Sequence, residues 1–195
     1  MTTTALISGA RPLSDAVGAA LRQAGVDVLL SEDAGGISAV LGGVEAGGLD
    51  VYVQLPVTLS SEGSTVVARV RQFLREGMLA RFEAVEAVLP ALARDARVVI
   101  VAGTTALDGG ELPDDRRARF ALLEVLAHAV RADRSGEQVR VHTLSSGRGA
   151  DEIAAVALGQ SAPASPALAD IASRESEMSY EDWRTEVLGL ATVEV

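Results

Sequence analysis

The sequence predicts an α/β fold, a doubly wound and mostly parallel sheet covered by helices. Three observations carry this. Short apolar runs alternate with helical patterns along most of the chain. The runs are apolar on both faces, as strands buried between two helix layers must be. The composition is 48% hydrophobic but only 3% aromatic, so the core is built from Ala, Val and Leu.

Taken in order, Thr4–Ile7 reads as the first strand and Ser14–Ala24 as a helix closed by Gly25, a residue suited to the turn after a helix. Val26–Leu30 is the second strand. Gly36–Ala46 is a short helix stopped by Gly47 and Gly48, and Leu49–Leu55 a third strand ending before Pro56. From Ser64 to Arg94 the residues Val66, Val70, Phe73, Leu74, Met78, Phe82, Val85, Leu89 and Leu92 recur with a period near 3.6, which predicts one long helix. Arg97–Ala102 is a fourth strand, Asp114–Asp133 a helix, Gln138–Leu144 a fifth strand and Asp151–Leu158 a last short helix. Residues 1–159 therefore form one domain. Residues 160–178, rich in Ala, Pro and Ser, read as a linker or arm. Residues 179–195 read as a helix, with Ser179 at its N-cap and Trp183, Val187 and Leu190 on its buried face, and then an edge strand or frayed end.

Charge and composition exclude several functions. There are 27 acidic and 17 basic residues, for a net charge of −10. Such a chain has no basic footprint for nucleic acid and is repelled by anionic membranes. It has no cysteine, so disulfides, thiolate nucleophiles and cysteine metal sites are excluded. The start, "MTTTALISG", lacks the basic n-region of a signal peptide, and runs such as "VVIVAG" are too short to span a bilayer. The expectation is a cytoplasmic protein.

Several stretches together resemble the short-chain dehydrogenase/reductase family. "TALISGARPLSDAVGAAL" is similar to its opening strand, glycine turn and helix, and "LDVYVQLP" to its fourth strand. "LARFEAVEAVLPAL" resembles half of its long interface helix, "RVVIVAG" the next strand, and "RRARFALLEVLAHAVRAD" its catalytic helix. "QVRVHTLSSG" and "DEIAAVALG" resemble the strand and helix that follow, so the likeness covers about residues 4–159. It implies a Rossmann-like fold, NAD(P) as the family's cofactor and oligomerisation through the two long helices. Only twenty residues, Ser31–Asp50, separate the second strand from "VYVQLP", where a full member has a helix, a strand and another helix. One helix and the family's third strand are therefore expected to be missing. The sheet would then run 2-1-4-5-6 in family labels, with its second strand at an edge.

The family's phosphate turn has the form TGxxxGxG, whose glycines let the backbone approach a pyrophosphate at a helix N-terminus. Aligned on Gly9, this chain has Ser8 for the threonine, and Leu13 and Asp15 for the later glycines. Leu13 fills space the phosphates use. Asp15 is expected to cap the helix itself and to repel a phosphate, while Arg11 is placed to neutralise one from the side. Gly18 reads as a close-packing position. Glu32 and Asp33, after the second strand, stand where an acidic residue holds the ribose of NAD. They read more simply as a solvated acidic loop. The cofactor-binding candidates are thus Ser8, Gly9, Arg11, Glu32 and Asp33. The expectation is no cofactor, and NAD rather than NADP if there is one.

By the same resemblance, Gly77 stands at the family's catalytic asparagine, Gly103 at the serine, Arg116 at the tyrosine and Phe120 at the lysine. The spacing of 13 from Gly103 to Arg116 matches the family. The chain contains no lysine at all, and no tyrosine between Val53 and Ser179. Arginine does not exchange a proton as tyrosine does. Thr104 and Thr105 are hydroxyls near the serine's place, read more simply as turn residues. His128 and His142 have no clustered carboxylates, so no metal site is expected. "LSSGRG" (Leu144–Gly149), at a strand's carboxyl end, is a loop or a small-anion site with Arg148. Asp114 and Asp115 read as helix-start residues.

These readings favour a non-catalytic member of the family. It would be a homodimer, or an inactive subunit paired with an active dehydrogenase, joined through helices 64–94 and 114–133. Those helices are apolar on more than one face, as Phe120, Leu122, Leu123, Val125, Leu126 and Val130 illustrate. The alternatives are an NAD(P)-dependent oxidoreductase in which Thr104 or Arg116 has a new role, and a small-ligand sensor.

Overall fold

Five strands pair in parallel throughout. β1 (Thr4–Ser8) lies between β2 (Asp27–Ser31) and β3 (Leu49–Gln54). β4 (Leu92–Val101) pairs with β3, and β5 (Arg140–Leu144) closes the sheet. The order β2-β1-β3-β4-β5 is the order expected for the family sheet without its third strand. The structure, a computed structural model, describes residues 2–56, 65–103 and 113–160. All of them lie in one unit, Met1–Ala162. The expected helix at 179–190 and the final strand, with Trp183, lie outside the described residues, as do Thr104 and Thr105.

Alternation along the strands sorts side chains into two cores. Ala5, Ile7, Val51, Val53, Val99 and Val101 face α1 (Leu13–Gln23) and α6 (Ala150–Ala157), meeting Val17, Leu21 and Ile153. Leu6, Tyr52, Val98, Ile100 and Val141 face the other way. They pack against α2 (Ala34–Leu41), α4 (Ala80–Val88) and α5 (Pro113–Asp133) through Ile37, Val85, Val88, Leu123 and Leu126. The helices form because their apolar residues fall on one stripe: in α1 the buried positions are Ser14, Val17, Gly18 and Leu21. Gly18 faces the sheet, where a Cβ would make ordinary contact with Leu30 and Ile7 at 3.5–3.6 Å and meet the flexible end of Arg22 at 3.3 Å.

Several boundaries differ from expectation. The long helix is not continuous. α3 (Val66–Gln72) passes into a π-helical turn, Phe73–Leu79, before α4, and a 3₁₀ turn over Leu89–Ala91 ends the run. Pro90 stands in that turn and Leu92 is already extended (φ −64°, ψ 134°), so Leu92–Arg94 belong to β4 and not to the helix. The early start of β4 is hidden in the sequence by a bulge. Leu49 pairs with Leu92 but Val51 pairs with Arg97, which leaves the polar stretch around Arg94 and Asp95 looped out. The helix expected over Gly36–Ala46 is Ala34–Leu41. It starts earlier because the Asp33 carboxylate caps it, accepting a hydrogen bond from Gly36 N at 2.7 Å.

Candidate functional site

The carboxyl ends of β1, β3 and β4 meet α4 and the β1–α1 turn, the place where open α/β sheets hold ligands. The turn itself is closed on the protein. Gly9 N donates to Ser31 O at 3.0 Å and Ala10 N to Pro56 O at 3.4 Å. Gly9 has φ +137°, and a Cβ there would stand 2.6 Å from Leu55 Cβ. Close contact between β1 and β3 is thus sufficient reason for glycine.

One expectation about this turn is corrected. Asp15 does not cap α1, whose N-cap, Pro12, makes no side-chain hydrogen bond. Asp15 lies instead 3.7 Å from Arg11 Nε. Arg11 in turn reaches Glu32, across the gap between the turn and the end of β2, at 3.1 Å. It therefore bridges two carboxylates, and the opposite charge nearest to it is the protein's own. Asp33 caps α2, so it is a helix-capping residue and not a free loop carboxylate.

Beneath the turn, on the α4 side of the sheet, runs a buried polar chain that sequence reasoning missed. Ser8 Oγ and Tyr52 Oη are 2.8 Å apart. Gln54 Nε2 donates to Tyr52 Oη at 3.2 Å and to the backbone carbonyl of Arg81 at 2.9 Å. Arg81 Nε donates back to Gln54 Oε1 at 3.0 Å, and its Nη2 to Val101 O at 2.7 Å. Gln54 thus uses both its donors and its acceptor. Arg81 is 6% exposed. Loss of hydration pushes its pKa down to about 10, against a smaller opposite effect of Tyr52, so it stays a cation at neutral pH. Burial likewise raises the pKa of Tyr52, despite its hydrogen bonds to Ser8 and Gln54. One signal for Arg81 was present. It stands four residues after Gly77 and four before Val85, a charge on the buried stripe of the helix.

The positions that the resemblance aligns with the family's catalytic residues are spread over three elements. Gly77 is buried in the π-helical turn. Gly103 follows β4, where an added Cβ would meet Pro56 Cβ at 3.1 Å. Phe120, on α5, packs against the apolar core. The side chain of Arg116 lies outside the described residues, as do those of Asp114 and Asp115. On the same helix Glu124 accepts a hydrogen bond from Thr143 Oγ1 on β5. His142 lies within β5, between the buried Val141 and Thr143. β5 is an edge strand with alternating burial, and its exposed face carries Arg140 and His142. Partial desolvation, then Arg131, Arg97 and Arg140, hold the His142 pKa below its usual value. In the loop after β5, Arg148 Nη1 lies 3.7 Å from Glu152, so the guanidinium offered there for an anion already faces a carboxylate. Among the described residues no cluster of His, Asp and Glu could hold a metal ion, and no helix is long and apolar enough to cross a membrane.

No family model and no curated protein matches the chain. Solved structures do. A protein described as a short-chain alcohol dehydrogenase, from Burkholderia multivorans, is 16% identical with a TM-score of 0.62, covering 83% of this chain and 93% of its own. A short-chain dehydrogenase/reductase from Serratia marcescens is 16% identical with a TM-score of 0.56, covering 83% and 89%. A third, a small-chain dehydrogenase, is 13% identical with a TM-score of 0.62, covering 82% and 89%. From the parallel sheet, its order and these likenesses, the chain has the fold of the short-chain dehydrogenase/reductases.

Proposed function

We propose that this chain is a short-chain dehydrogenase homologue that no longer catalyses. It acts as a subunit, pairing through its long helix and α5 either with a second copy or with an active relative. The observation that carries this reading is the self-satisfied site. The first N–H groups of the turn are bonded to the protein, Arg11 is held by Glu32 and Asp15, and Asp33 caps a helix. These groups do not fit the role a dinucleotide's phosphates and ribose would give them. Phe120 supports the same reading, because a partly buried aromatic ring packed against the core stands at the position that the resemblance aligns with the family's charged lysine.

The subunit role rests on exposed apolar residues. Val67 is 78% exposed, Leu74 48%, Leu79 52% and Val125 38%. The first three lie on the long helical run and the last on α5, the two segments by which the family joins its subunits. Exposed side chains of this size gain by burial against a partner. Sedimentation at micromolar concentration tests the homodimer directly. Twice the chain mass of 20.1 kDa is expected, with Leu74→Glu shifting the population to monomer. A monomer that also retains no dehydrogenase on pull-down from its host would end this reading.

A further inference from the structure

Among the described residues the sheet has two outer strands, β2 and β5. An outer strand turns every second peptide group away from its neighbour, and those groups can pair with an extended segment of another chain. The bonds made inward show which groups turn outward. On β2, Asp27 N donates to Thr3 O and Ser31 O accepts from Gly9 N, so Asp27, Leu29 and Ser31 face β1 while Val28 and Leu30 face out. On β5, Leu144 O accepts from Ala102 N, so Arg140, His142 and Leu144 face β4 while Val141 and Thr143 face out.

On each edge an arginine reaches an outward carbonyl. Arg22 Nη2 donates to Val28 O at 3.3 Å, and Arg131 Nη2 to Val141 O at 2.7 Å. The relation is the same both times. Each arginine stands in the last turn of the helix that leads into its strand, and each carbonyl belongs to the second residue of that strand. We propose that Arg22 and Arg131 guard the two edges, denying β2 and β5 to strand addition by a second copy of this chain. A strand laid along either edge needs the carbonyl that the arginine occupies. It also has to pass over a guanidinium that stays charged, and so to desolvate that charge against its own backbone. The guards use other residues than the helix pairing proposed above, so the two stand or fall separately.

Sedimentation of the full-length chain carrying Leu74→Glu, which removes the helix pairing, tests the proposal. Added to it, Arg22→Met is expected to give a dimer closed through β2 about a two-fold axis, and Arg131→Met one closed through β5. The double variant, open at both edges, gives species whose mass climbs with concentration. Arg22→Lys and Arg131→Lys keep a cation and a donor on a long stem, and leave the mass as it was. Hydrogen exchange locates the contact: the amides of Val28 and Leu30, or of Val141 and Thr143, slow in the methionine variants. Folded methionine variants with the mass of the Leu74→Glu chain overturn the proposal. So does association that is equal in the lysine variants, or that leaves those amides unslowed. Either single variant decides if the double variant does not fold. The mass of the Leu74→Glu chain alone reports on the helix pairing, so a failure there is seen apart from a failure of the guards.

Discussion

Gly9→Ala separates a glycine kept for the fold from one kept for a cofactor. The new Cβ would lie 2.6 Å from Leu55 Cβ and 3.0 Å from Leu55 O, against an ordinary contact of about 3.5–4.0 Å. β1 and β3 are central strands, so neither moves aside without disturbing the pairing of Ser8 with Gln54. Overpacking of this kind costs about 1–3 kcal/mol. Alanine at φ +137° adds about 1–3 kcal/mol of backbone strain. The expected destabilisation is therefore at least about 2 kcal/mol, a large part of the ~5–15 kcal/mol that holds a typical domain. Urea unfolding followed by circular dichroism, without any ligand, measures it as a midpoint lowered by about 1 M or more. A change below about 0.5 kcal/mol would refute the packing argument and return Gly9 to the role of a phosphate-turn glycine.

Gln54→Leu removes the acceptor of Arg81 Nε and is expected to cost about 2–4 kcal/mol in denaturant unfolding. The double variant with Arg81→Met loses less than the sum of the two single changes, because the buried charge leaves with its partner. Arg11→Ala costs under about 1 kcal/mol, since Arg11 and Glu32 are both largely exposed. A larger cost would mean that the bridge organises the turn. The depressed pKa of His142 favours its neutral form in the folded chain, so its contribution is present above the unfolded value of ~6.5 and is lost as pH falls through the lower folded value. His142→Gln should flatten the stability profile on that acid limb. An unchanged profile would place the acid sensitivity elsewhere.

The sheet order was legible because each strand is a short apolar run and the segment between Ser31 and Asp50 is too short for another strand and two helices. The β4 start was not, because the polar bulge at Arg94 and Asp95 breaks the apolar pattern that marks a strand. The π-helical turn was hidden for the opposite reason: its apolar residues continue a helical period that the backbone interrupts. At the site, the order of residues announced which groups stand at the turn, but not their partners. Asp15 in a first turn reads as a cap, yet Arg11 lies closer in charge and takes it. The buried chain from Ser8 to Val101 joins residues up to 44 positions apart. Only the fold brings them together, and the arginine on a buried helix stripe was the one local hint.

Calorimetric titration of the full-length chain with NADH and NADPH tests the central claim most directly. A turn whose donors, arginine and carboxylates already serve the protein predicts no saturable heat and no thermal shift at millimolar dinucleotide. Saturable binding in the micromolar range would contradict that claim.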